Sequence, residues 1–191
     1  MLRQTSDLDD TILQCQNLTI MIKDLNEASK TRAENLAKTQ FIFEARQLKL
    51  LSELQSIYPI EQLDNGEYAI RGLELPMDTT QKDDELISSA LGYLVHLLLL
   101  TSKYLELPLR CQLLFFASRS MIRDPANSSG TAYPLFRRGV ERERFDRAII
   151  LLQKNVDQLL QSRGIPYDSR KPLLYNVHQL FECEICPKVT L

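Results

Sequence analysis

The chain has 191 residues, 44% of them hydrophobic and 25% charged, an ordinary globular balance with room for one core and an appendage. A net charge of −2, with 7% aromatics and no tryptophan, excludes the basic, aromatic-lined surface of a nucleic-acid-binding domain. Four scattered cysteines, Cys15, Cys111, Cys183 and Cys186, exclude a disulfide scaffold, and the opening MLRQTSDLDD is polar and acidic where a secretory signal is basic and then apolar, so a reducing cytoplasmic setting is expected.

From Leu8 to Ile57 there is neither proline nor glycine, and an unbroken helix of about 75 Å is expected there. Its apolar residues recur every seven. Leu8, Cys15, Ile22, Ser29, Leu36, Phe43, Leu50 and Ile57 form one series, in which Ser29 alone is polar. The companion series, Thr11, Leu18, Leu25, Arg32, Thr39, Arg46 and Glu53, begins apolar and turns polar. A sustained seven-residue period predicts a left-handed coiled coil. Two copies in parallel would bring Arg32 against Arg32 and Arg46 against Arg46, so self-pairing is weak and a partner offering carboxylates or amides pairs better. The partner-binding residues are therefore Leu8, Cys15, Leu18, Ile22, Leu25, Arg32, Leu36, Phe43, Arg46 and Leu50.

Pro59 ends the helix, and the chain divides into a coiled coil over 1–57 and a compact domain over 58–191. The stretch IYPIEQLDNGEYAIRGLELP reads as a β-hairpin turning at Asn65-Gly66, with Gly72 as a bulge. A core helix follows from Asp84 to Leu107. Its apolar run, Leu86 to Leu100, is about fifteen residues against the roughly twenty a membrane span needs. Leu109 to Ile122 reads as β, RDPANSSGTA as a polar, mobile loop, and YPLFRRG as a short strand closed by Gly139. A helix from Glu141 to Ser162 stops at Gly164 and Pro166, and a last helix runs from Pro172 to Glu182. The expected fold is α+β: a long N-terminal coiled-coil helix, two strand-strand-helix units in which YPI and YPL recur at similar places, and a C-terminal helix.

Catalytic equipment is sparse. There is no phosphate-binding glycine loop and no nucleophile elbow, and His96 and His178 stand alone. His96, within the core helix, reads as a hydrogen-bonded core histidine and His178 as a surface one. Cys183-x-x-Cys186 could hold half a zinc site or a redox pair, but a structural zinc site needs four ligands and no second pair exists. No catalytic residue, metal or cofactor is assigned. Arg137 and Arg138 open a basic cluster that could face phospholipid head groups, although Glu141, Glu143 and Asp146 interleave with it and point to local ion pairs.

ELQSIYPI, EYAIRGLELP, SALGYLVHLL, LELPLRC, SRSMIRD, YPLF and FDRAIILLQKNVDQLL occur in an order and spacing that resemble the UV-radiation-resistance-associated family over about residues 50 to 165. The resemblance implies a non-catalytic subunit of the endosomal class III phosphatidylinositol 3-kinase complex. Such a subunit pairs with beclin through the coiled coil and assembles with the catalytic subunit and its pseudokinase-like regulatory subunit. It would be cytoplasmic and peripheral to endosomes and autophagic membranes, serving endocytic trafficking and autophagy. The autophagy-specific sister subunit of the same kinase is the neighbouring alternative. The resemblance also implies a compact domain like beclin's β-α repeated, autophagy-specific domain, which in beclin carries an exposed aromatic finger. Here Phe115-Phe116 is the only adjacent aromatic pair, and with its strand-like surroundings at least one ring is expected in the core, which argues against membrane insertion.

Overall fold

A computed structural model describes residues 2–76, 83–125 and 130–185, with side chains from residue 13 onward. The order is α1 (Leu2–Ile57), β1 (Ile60–Gln62), β2 (Tyr68–Ile70), β3 (Leu73–Glu74), α2 (Asp84–Tyr104), β4 (Gln112–Leu114), β5 (Met121–Arg123), β6 (Ala132–Pro134), α3 (Arg142–Ser162) and α4 (Leu173–Ile185). The fold is α+β, and the chain clusters into two units, Met1–Arg46 and Gln47–Leu191. The heptad reading divides the chain at 57/58. Contacts of the second unit begin earlier because Leu51 and Leu54, on the last turns of α1, are 1% and 2% exposed in its core.

Each predicted pair of strands is in fact a three-stranded antiparallel meander, β1-β2-β3 and β4-β5-β6. The first turn follows the sequence reading. Leu63 N–H donates to the Glu67 carbonyl, Asn65 Oδ1 accepts from Glu67 N–H, and Gly66 takes φ +82°. The second turn corrects it. Ile70 pairs with Leu73, so Arg71-Gly72 is a two-residue hairpin loop with both residues at positive φ, 50° and 74°, and Gly72 is not a bulge. A third, two-residue strand follows where none was expected.

The run Leu109–Ile122 is likewise not one strand. β4 ends at Leu114, Ala117–Arg119 make a 3₁₀ turn, and β5 begins at Met121. Buried Ser120 ties this turn: its Oγ donates to the Ala117 carbonyl at 2.7 Å and accepts from Phe116 N–H at 3.1 Å. YPI leads into β1 while YPL closes β6, so the two do not occupy equivalent places. RDPANSSGTA lies partly outside the described residues.

α2 is long and apolar enough to cross a membrane by length and composition, yet it is the central core helix. Ile87, Ala90, Leu91, Leu94, Val95, Leu97 and Leu98 are all fully buried. Asp83 caps its start by accepting from Glu85 N–H. It stops three residues before the expected Leu107, because Glu106 turns left-handed at φ 55° and the N–H groups of Leu107 and Glu106 return to the carbonyls of Ser102 and Lys103. α3 ends by the same device, this time with Gly164 at the left-handed position as its sequence predicts. α2 packs on the first sheet and on the 3₁₀ turn, α3 packs on the second sheet, and α4 packs on α3 and β2.

Candidate partner-binding surfaces

In the first unit every residue from 13 to 46 is exposed. Leu18, Ile22, Leu25, Leu36 and Phe43 of the predicted seam are 58%, 58%, 61%, 71% and 40% exposed, with Cys15, Arg32 and Arg46 exposed among them. Leu8 lies outside the residues with described side chains, and Leu50 is half-buried in the second unit. A lone helix is marginal in water without an apolar face to bury. This one carries an apolar face at heptad spacing that is exposed along residues 13–46. The polar residue Thr39 is no obstacle at its seam position, because its hydroxyl donates to the Asn35 carbonyl of its own helix at 2.9 Å.

The sequence reading missed the apolar neighbours of Ile22 and Phe43, which complete two triplets, Ile20-Met21-Ile22 and Phe41-Ile42-Phe43, all exposed. They stand three heptads apart, so they occupy the same positions of the repeat and widen the seam at two separate levels. Searching for recurrence beyond the two main series would have found them.

On the compact unit, the residues shared with the family resemblance hold one another. Asn155, fully buried, accepts from Cys111 N–H at 2.9 Å and donates to the Cys111 carbonyl at 2.8 Å. One turn on, Gln158 accepts from Arg110 N–H at 2.7 Å and donates to the Pro108 carbonyl at 2.8 Å. The KNVDQL segment of α3 thus clasps the PLRC segment as a strand neighbour would. Arg147 reaches Asp124 at 3.0 Å. Burial pushes the Cys111 thiol up, and the Asp124 carboxylate adds to that, so it is a packing residue rather than a nucleophile.

Arg137 and Arg138 lie against the start of α2, 3.4 Å from Asp84 and 2.8 Å from Glu85. Carboxylates and the helix N-terminus share this corner, and the guanidiniums balance the carboxylates. His96 is half-buried, joined through Nδ1 to the Tyr58 hydroxyl and stacked on Phe115 with centroids 4.4 Å apart. Phe115 and Phe116 are 42% and 61% exposed, so the expectation that one ring enters the core is overturned. The 3₁₀ turn directs this segment outward, because Ser120 and Ile122, not the two rings, take the buried positions. Cys183 is exposed, Cys186 lies outside the described residues, and no cluster of three potential metal ligands occurs among the described residues. His178 has Glu182 3.8 Å away as its nearest charge partner.

No family model matches the chain. It is 35% identical to the mouse UV radiation resistance-associated protein over 167 residues, 84% of this chain and 24% of the mouse protein. It is 29% identical to vacuolar protein sorting-associated protein 38 of Schizosaccharomyces pombe over 163 residues, 83% of this chain and 34% of that protein. With the UV radiation resistance-associated gene protein of Drosophila melanogaster it shares 28% identity over 135 residues, 61% of this chain and 19% of the fly protein. The chain therefore spans about a fifth to a third of the length of the curated relatives it matches. These relatives, similar over most of the chain, place it in the UV radiation resistance-associated protein family.

Proposed function

We propose that this chain is a non-catalytic scaffold subunit of the class III phosphatidylinositol 3-kinase complex that acts in vesicle trafficking. In this reading α1 pairs with the coiled coil of a beclin protein, and the compact unit, its two meander-and-helix layers corresponding to beclin-type repeats, sits beside beclin's own domain. The catalytic subunit and its pseudokinase-like partner complete the assembly at the cytoplasmic face of endosomes and autophagic membranes. The observation that carries this is the exposed seam, Leu18, Ile22, Leu25, Leu36 and Phe43, at seven-residue spacing with Arg32 and Arg46 interrupting it. Such a helix needs a partner, and the arginines select one unlike itself. The relatives' names, one of them a vacuolar protein sorting-associated protein, support the trafficking role.

The test is reconstitution. The kinase, its pseudokinase-like subunit and beclin are purified together with this chain or with a version lacking residues 13–46. The intact chain is expected to co-elute with all three in one complex, and the shortened one to be left behind. Elution of the intact chain apart from the other three would overturn the proposal.

A further inference from the structure

The compact unit carries a second surface that the coiled-coil reading leaves unused. Tyr58, Tyr93, Phe115, Gly92, Ser89 and Ser118 line an open cavity of about 250 Å³. That is below the roughly 300–1,000 Å³ of small-molecule pockets and suits a single large side chain. Its walls are preformed. Phe115 stacks on His96, His96 stands edge-on to Tyr58 with centroids 5.6 Å apart, and Tyr58 leans on Tyr93 at 6.0 Å. A guest therefore orders few side chains on entry. Phe116, next to Phe115 in the chain, is 61% exposed.

The charges near the cavity are unanswered. The Arg71 guanidinium lies 5.2 Å from the Tyr93 ring centroid and 6.0 Å from that of Tyr58, and it makes no ion pair among the described residues. Arg119, next to Ser118 in the chain, lies 5.9 Å from the Phe136 ring centroid and likewise has no ion pair among the described residues. Asp84 and Glu85, which share a neighbouring cleft with Arg119, are already engaged by Arg137 and Arg138. Two guanidiniums held by aromatic faces beside an apolar hole form a receptor for an apolar side chain with carboxylates next to it.

We propose that this cavity docks an acidic peptide segment of a partner protein, one large apolar side chain filling the hole and neighbouring carboxylates meeting Arg71 and Arg119. A concave site walled by rings that pack on each other suits a side-chain knob better than a bilayer, which is entered by convex apolar loops. The proposal does not depend on the α1 seam.

The test is a random short-peptide display selection against the full chain, followed by fluorescence anisotropy of a selected peptide. Enriched sequences are expected to share a large apolar residue flanked by Asp or Glu. Arg71→Glu is expected to weaken binding by about tenfold or more, and Ser118→Trp, which plugs the hole from an exposed position, to abolish it. Thermal melts establish that both variants fold. Failure to enrich any peptide, enriched peptides without acidic residues, or binding indifferent to both variants overturns the proposal. So does binding to phosphatidylserine vesicles that depends on Phe115 and Phe116 in the absence of peptide binding, which would make the patch a membrane surface.

Discussion

Gly92 on α2 faces the Ala117 carbonyl so closely that a Cβ on it would lie 2.4 Å from that oxygen and 2.7 Å from the carbonyl carbon. This contact fixes the 3₁₀ turn, and with it Phe115 and Phe116, against the central helix. Ala117 is itself held at φ 50°, a left-handed conformation that a side chain resists. Gly92→Ala is expected to destabilise the fold by about 2–3 kcal/mol, since backbone rather than a flexible side chain must give way. Ala117→Gly should be neutral or stabilising by up to about 1 kcal/mol, because it removes the Cβ that resists this φ. The double variant should remain as unstable as the Gly92 variant, because the clash is with a carbonyl that glycine also carries. Urea denaturation of the three variants measures this, and full rescue in the double variant would contradict it.

The clasp of α3 on the segment before β4 separates a buried bond from an exposed one. Asn155→Ala strands the N–H and the carbonyl of buried Cys111 and is expected to cost about 2–4 kcal/mol. Gln158→Ala opens its bonds to solvent that replaces them, and about 1 kcal/mol or less is expected. Denaturant midpoints of the two variants check the ranking, and equal losses would refute the distinction.

Alkaline pH should weaken the compact unit. Burial raises the Tyr68 phenol, with Tyr175 adding to it. Burial also raises the Tyr167 phenol, with Asp157 and Asp168 adding, and it raises the Cys111 thiol. Each group binds its proton more tightly folded than unfolded. The stability it contributes is complete below the unfolded pKa, about 8.5 for a thiol and about 10 for a phenol, and is lost as pH rises through the higher folded value. Melting temperature from these groups is expected to be flat near neutrality and to fall above about pH 9. Tyr68→Phe should reduce the fall, and a phenylalanine variant that falls as steeply as the parent would show that other groups govern it.

The polar positions of the α1 seam should govern self-association. Arg32→Leu with Arg46→Leu removes the like charges that a parallel homodimer would bring together, and self-association is expected to tighten by about tenfold or more. Sedimentation velocity over a concentration series reads the change. No gain in dimer would mean that the arginines do not discriminate between partners.

Much of this was legible in the sequence wherever a period or a stop residue ran long enough to be read. The heptads of α1, the apolar run of α2, the face of α3 and the stops at Asn65-Gly66 and Gly164 all announced themselves. The third strand of the first sheet and the split of Leu109–Ile122 into β4 and β5 did not, because two or three residues are too few to show alternation. The 3₁₀ turn was hidden because Ala117 gives no signal for positive φ, and the device that holds it, the Ser120 hydroxyl, resembles any other serine. That turn carries Phe115-Phe116 outward, so the cavity beside it was unreadable as well. The resemblance motifs were visible as letters. Their reason, Asn155 and Gln158 clasping the backbone around Leu109 and Gly92 meeting Ala117, needed the contacts.

The most direct test of the account is sedimentation equilibrium of the intact chain, alone and mixed with a beclin coiled-coil fragment. The exposed seam and its arginines predict weak self-association alone and a tight one-to-one complex in the mixture. A stable homodimer indifferent to beclin would contradict the scaffold function while leaving the fold as described.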